Sequence, residues 1–259
     1  MEKDIRVGSM GKLGELDFAS REAYNVLRTN LAFALPGTEG GKSVGLTSPD
    51  PGDGKSYTAV NLAVALSNDG FRVLLISADL RRSSIEEKVG LDTKVGLSNI
   101  LTGNVADYKK AMINQADHKK LFIIPAGEVP PNPSALLGSE NMRKFISDMK
   151  EDFDYVICDL PPVNSVIDPV AVSRFLDGMI VVVRHGVTRK QSLNSAMRQL
   201  EYANAKVLGF VYNDYGSGSS RYGKYGYRKY GYRKYGRSGQ YYKKYGYGYY
   251  TNNEKEKSK

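Results

Sequence analysis

The stretch that decides the fold is SVGLTSPDPGDGKSYTAVNLAVALS, residues 43–67. Its first five residues have the apolar character of a buried strand, and its last ten, TAVNLAVALS, read as a helix. Between them lies SPDPGDGKS, Ser48 to Ser56. Gly52 and Gly54 leave backbone N–H groups bare, Lys55 brings a cation, and Ser56 offers a hydroxyl at a helix N-terminus. Those are the parts of a phosphate cradle: amides for phosphate oxygens, an ammonium for the β- and γ-phosphates, and an oxygen for Mg²⁺. Pro49 stands where the strict pattern GxxxxGK[ST] has its first glycine. An ordinary Gly/Pro turn is the plainer alternative, but a strand before and a helix after are the context the phosphate motif requires. A nucleotide contact set of Gly52, Asp53, Gly54, Lys55, Ser56 and Tyr57 is expected.

Outward from this loop, short apolar runs recur with helical stretches between them. They are RVLLIS (72–77), LFIIP (121–125), YVICD (155–159), MIVVVR (179–184) and KVLGFVYN (206–213). Unbroken apolar runs of this length indicate strands covered on both faces by crossover helices. The predicted fold class is therefore α/β, a doubly wound and mostly parallel sheet of the P-loop NTPase type. In such sheets ligands bind beyond the carboxyl ends of the strands. Asp79 follows RVLLIS, Asp159 ends YVICD, and Asn213 ends GFVYN. The three are expected to converge on the loop, with Ser56, Asp79 and Asp159 as metal-site candidates and Lys55, Asp79 and Asp159 as catalytic ones. A capping or turn aspartate is the bland alternative for Asp159. Asn213 either reaches an adenine or caps a turn. Arg184 and Thr188 flank the site without a distinct role. Cys158 is read as core packing.

Residues 17–35, DFASREAYNVLRTNLAFAL, predict a helix capped by Asp17, with Tyr24, Leu27, Leu31 and Leu35 on one face. Glu22, Asn25 and Arg28 share another. Three segments follow: 1–35 with this helix, a P-loop domain over 36–214, and a tail over 215–259. The tail holds thirteen tyrosines, at Tyr215, Tyr222, Tyr225, Tyr227, Tyr230, Tyr232, Tyr235, Tyr241, Tyr242, Tyr245, Tyr247, Tyr249 and Tyr250. Its repeats, KYGYR, KYGYR and KYGR, fit neither the strand nor the helix period, and the expectation is disorder.

The net charge is +9, yet residues 215–259 alone carry +10 and the remainder −1. The basicity is thus a property of the tail, and the P-loop domain has no nucleic-acid-like charge excess. One cysteine excludes an internal disulfide, and two histidines are too few for a metal cluster. No apolar run nears the roughly 18 to 20 residues that span a bilayer, so a cytoplasmic chain is expected. Asp152-Phe153-Asp154 precedes a strand and no His-Arg-Asp loop exists, which excludes the eukaryotic kinase arrangement.

The chain resembles the bacterial tyrosine kinases of capsule and exopolysaccharide synthesis, of the CpsD/CapB type. The resemblance runs through REAYNVLRTN, SPDPGDGKS, VLLISADLRR, AGEVPPNPSALL, DYVICDLPP and the terminal tyrosine cluster. It implies ATP and Mg²⁺ as cofactors, Lys55 and Ser56 on phosphates and metal, and Asp79 and Asp159 assisting the metal and the attacking hydroxyl. It also implies autophosphorylation of the tail tyrosines in trans. The implied partners are a membrane polysaccharide co-polymerase that activates the kinase, further copies of the chain in a ring, and a tyrosine phosphatase, with no specific nucleic acid. Residues 1–35 carry no spanning run, so the membrane protein is expected as a separate chain that holds this one at the membrane periphery.

Two departures from the family pattern stand out. Ser77 replaces the first of two aspartates, and Asn25 replaces the middle arginine of the contact motif Glu-x-x-Arg-x-x-Arg, leaving Glu22, Asn25 and Arg28. A 45-residue Gly-rich tail would span about 35 to 40 Å as a random coil, enough to reach a neighbouring copy. The competing reading is a partition-type P-loop ATPase with a basic tail on nucleic acid or lipid. Its signature lysine, five residues before the loop lysine, is Asp50 here. A third reading, a tyrosine–arginine module stacking on RNA, leaves the phosphate loop unexplained.

Overall fold

The computed structural model describes residues 16–37, 40–105, 107–115 and 118–214. The tail, its tyrosines and its expected disorder lie outside the described residues. Among the described residues the strands are β1 (Lys42–Thr47), β2 (Val73–Ser77), β3 (Ile113–Gln115), β4 (His118–Ile124), β5 (Tyr155–Asp159), β6 (Gly178–Arg184) and β7 (Val207–Asn213). They form one sheet in the order β3-β4-β2-β5-β1-β6-β7. Every pairing is parallel except β3 with β4. The six expected strands are all present, and β3 is an addition at the edge.

For β1, β2, β5 and β6 the unbroken apolar runs follow from two-sided burial. In contrast β7, expected to be covered on both faces, lies at the sheet edge with Phe210 and Tyr212 exposed, because no further strand flanks it there among the described residues. Leu75 and Ile157 point into one core with Val44, Leu46 and α2 (Lys55–Asn68), while Leu74, Ile76, Val156 and Cys158 point into the other. That second core takes Phe145, Ile146 and Met149 from α6 (Glu140–Asp152) and Ala196 and Leu200 from α8 (Lys190–Tyr202). The Cys158 thiol, fully buried there, is pushed up to about 12 by burial and by the charge of Asp159. Helix α2 is apolar nearly all round because a second helix, α1 (Phe18–Ala34), lies over it. Asp17 caps α1 by accepting the Ser20 N–H at 2.7 Å. Leu31 and Leu35 join the core, and Tyr24 and Leu27 pack partly buried against it. Helix α1 is thereby seated on the P-loop body.

At the amino ends of the strands one carboxylate ties three elements together. Asp177 Oδ2 accepts the Ser43 N–H at 2.7 Å and the Ser43 hydroxyl at 3.0 Å, while Oδ1 accepts Lys150 Nζ at 2.8 Å. Burial pushes this carboxyl up, but the Lys150 and Ser43 donors outweigh it and hold it below the ordinary value of 3.8. The unfolded chain therefore binds this proton more readily than the folded one, and the stability is lost as pH falls below 3.8. Asp177→Ala is predicted to cost about 1.5 to 3 kcal/mol at neutral pH. Urea unfolding will show the penalty shrinking in acid.

Candidate active site

The carboxyl ends of β1, β2, β5, β6 and β7 meet around the N-terminus of α2. The first residue of that helix is Lys55, and its N-cap, Gly54, supplies no side-chain cap. The leading amides of α2 are thus left to an anion, and the helix dipole favours one. Gly54 has φ 96°, and a Cβ there would lie 2.0 Å from Asn213 Nδ2, so only glycine fits. Asn213 Nδ2 donates to the Asp53 carbonyl at 2.9 Å, clasping the loop from the end of β7.

Asp53 is 1% exposed. Its carboxylate accepts the Asp50 N–H at 3.1 Å and the Thr188 hydroxyl at 2.7 Å. Thr188 Oγ1 in turn accepts the Arg184 N–H at 2.7 Å, and Arg184 Nη1 donates to the Gly52 carbonyl at 3.3 Å. Arg184 also pairs with Asp214 at 3.0 Å. The Asp53 side chain therefore shapes the loop, both of its oxygens being engaged within the protein. Thr188 and Arg184 had no role assignable from sequence. Their one sequence signal is position: Arg184 ends β6, the strand beside β1, and Thr188 follows it.

Lys55 gathers the site. Its Nζ lies 3.2 Å from Asp79 Oδ2, 3.4 Å from Asp159 Oδ1 and 3.2 Å from Ser56 Oγ. Asp159 is fully buried, and burial pushes its carboxyl up against the opposing pull of the Lys55 ammonium and the Ser56 hydroxyl. Its Oδ2 is buried without a partner among the described residues. Asp79 Oδ1 accepts the Arg82 N–H at 3.1 Å, which fixes that carboxylate's orientation. The 79–82 turn is pinned beyond this point. Arg81 makes a two-pronged pair with buried Asp168 at 2.9 and 3.2 Å and reaches Ser134 Oγ at 2.9 Å. Asp168 is pre-positioned as the first residue of α7 (Asp168–Ser173).

Ser56, Asp79 and Asp159 thus offer oxygens only, one of them an orphaned buried carboxylate atom. Among the described residues no three His, Cys, Asp or Glu side chains stand together as a metal cluster. That donor set suits Mg²⁺, which takes one or two carboxylates and completes its shell with phosphate oxygens and water. Tyr57 sits on the first turn of α2, 39% exposed. Glu22, Asn25 and Arg28 stand on α1 and make no hydrogen bond or ion pair with Lys55, Asp79 or Asp159. Asn25 Nδ2 donates to Glu22 Oε1 at 2.9 Å, and Arg28 is ion-paired with Asp69 of the same chain.

Strand, glycine loop, lysine at the helix start and carboxylates on adjacent strand ends define a P-loop nucleotide-binding protein. A family model described as an AAA domain matches residues 42–206. The chain is 37% identical over 208 residues to tyrosine-protein kinase CpsD of Streptococcus agalactiae, covering 80% of this chain and 89% of that one. The kinase domain of Escherichia coli tyrosine kinase ETK superposes with TM-score 0.76 at 29% identity, over 88% of both chains. Tyrosine-protein kinase ptk of Acinetobacter johnsonii is 34% identical over 201 residues, which is 78% of this chain and 27% of that longer protein. The chain belongs to the bacterial tyrosine-protein kinase family.

Because the folded-state proton on Asp159 is held more tightly than in the unfolded chain, its contribution to stability is full at low pH and lost as pH rises above 3.8. Asp159→Asn is predicted to unfold at higher urea concentration than the native chain at neutral pH, without nucleotide. Midpoints measured across a pH series should draw together as 3.8 is approached.

Proposed function

We propose that this chain transfers the γ-phosphoryl group of ATP to tyrosines of its own C-terminal cluster, in trans between copies. The observation that carries the reading is Lys55 bridging Asp79 and Asp159 at a glycine-gated helix start, in a family member with thirteen tyrosines over residues 215–250. Phosphoryl transfer asks for positioning and charge stabilisation more than for covalent chemistry. The α2 amides and Lys55 bind the β- and γ-phosphates, and Asn213, Thr188 and Arg184 hold the loop in shape for them. When bound between Ser56, Asp79 and Asp159, Mg²⁺ supplies neutralisation of phosphate charge.

Asp79 is the better placed carboxylate for the acceptor. Its side chain is 7% exposed, against 0% for Asp159. The tyrosine oxygen forms its bond to phosphorus as the bond to ADP breaks, and the phenolic proton passes to Asp79. Asp159, deeper and held by Lys55, stays with the cation.

In this reading the tail also works as a charge switch. Each phosphate adds about −1.5 to −2 charge, so roughly five to seven cancel the tail's +10. An unmodified tail then favours acidic surfaces of neighbouring copies, and a modified one repels them, with Glu22, Asn25 and Arg28 contributing to contact between copies in a ring. A membrane co-polymerase would act as activator and hold the kinase at the cytoplasmic face, and a phosphatase would reset it. The outcome is control of capsular or exopolysaccharide polymerisation and export. Among the described residues no helix is long and apolar enough to cross a membrane. Support for an outside activator comes from the Acinetobacter relative, most of whose length lies beyond the match.

Incubation of the purified chain with Mg-ATP is expected to yield phosphotyrosine by immunoblot, reduced about 100-fold or more in Lys55→Met. ATP hydrolysis with no phosphotyrosine would replace this reading with a partition-type ATPase. Light scattering against salt tests the switch: the phosphorylated chain should form smaller assemblies than the unmodified one at low ionic strength, the gap closing as salt rises.

A further inference from the structure

A chain of two hydroxyls and a carboxylate runs into the site from α3 (Ile85–Val89). Ser77, the last residue of β2, stands opposite Asp159 in the parallel β2–β5 register. Paired residues project to the same side of a sheet, so Ser77 and Asp159 share the face on which α2 lies. Ser77 is fully buried, and its Oγ lies 2.5 Å from Ser83 Oγ. Ser83 donates to Glu86 Oε2, and Glu86 Oε1 accepts the Ala126 N–H at 2.6 Å.

The proton count fixes the direction of this chain. A carboxylate only accepts, and each serine has one proton. The Ser83 proton is taken by Glu86, so the hydrogen in the Ser77–Ser83 bond is that of Ser77. Ser77 is then left with lone pairs alone to offer on the side of Asp159. A hydroxyl that would otherwise be free to donate is held as an acceptor, and the anion at its far end polarises it further.

We propose that Glu86, acting through Ser83, is a positioning residue that fixes Ser77 as an oxygen acceptor toward the cation and its water shell. The inference rests on the nucleotide-site reading above. Partners that orient metal-site oxygens typically govern affinity by about 10- to 100-fold.

Glu86→Gln is the sharpest test because it keeps the volume and reverses the polarity. With its carbonyl on the Ala126 N–H, its amide faces Ser83, which then donates to Ser77 and turns the Ser77 proton into the site. The readout is equilibrium binding of a fluorescent ATP analogue titrated with Mg²⁺, alongside urea midpoints. For Glu86→Gln the Mg²⁺ concentration at half-saturation should rise about tenfold, with Mg-free nucleotide affinity unchanged. In a Ser77→Ala background, Glu86→Gln should add nothing. An equal rise in that background, or an unchanged Mg²⁺ requirement in the single variant, would overturn the relay and leave the nucleotide site standing. Absence of Mg²⁺-dependent binding by the native chain would overturn both.

Discussion

An ammonium group wedged between two carboxylates at the rim of a sheet organises this molecule. Lys55 belongs to the helix after β1, Asp79 to the turn after β2, and Asp159 to the last position of β5. Sheet order makes β5 the neighbour of both β1 and β2, so the three charges meet only when those strands are in register. Taking such groups out of water is costly, and the cost is offset only with near-ideal geometry and partners for the remaining oxygens. The fold meets that demand incompletely. Asp79 has the Arg82 amide, but one oxygen of Asp159 has no hydrogen-bond partner among the described residues, and burial keeps its carboxyl raised. A site balanced this way is stable enough to fold and still has an interaction to gain when a cation arrives.

Strands buried on both faces were legible because their apolar runs have no polar alternation to misread, and the helix-capping role of Asp17 was legible from residue type and place. The edge strand β3 escaped notice for a physical reason. It is three residues long, contains Asn114 and Gln115, and owes its existence to antiparallel pairing with β4. The five-residue helices, α3 among them, are likewise too short for a period to emerge. The same division runs through the site. Lys55 and Ser56 announce themselves by following Gly54 at a helix start, and Asp79 and Asp159 by standing at or just past the ends of apolar strands. Thr188, Arg184 and the Asp168–Arg81 pair are joined by sheet topology across long stretches of chain, and no local pattern marks them.

Asp53 shows how residue type can mislead. A carboxylate inside a phosphate loop reads as part of the nucleotide site, yet its negative charge would oppose phosphate. The structure uses both its oxygens as internal acceptors, one for Asp50 and one for Thr188. The loop's shape therefore derives from a residue whose carboxylate is engaged internally, which leaves the helix-start backbone and Lys55 as the loop's groups with positive character.

The last strand leaves the body by an unusual exit. Asn213 grips the loop carbonyl of Asp53, and Asp214, in a left-handed conformation at φ 61°, grips the Arg184 that also holds Gly52. The very next residue is Tyr215. Asn213 thus latches the nucleotide loop directly and Asp214 does so through Arg184, in the two residues that immediately precede the first tyrosine of the cluster in sequence. A substitution at 213 or 214 is therefore also a change in how the phosphate loop is anchored.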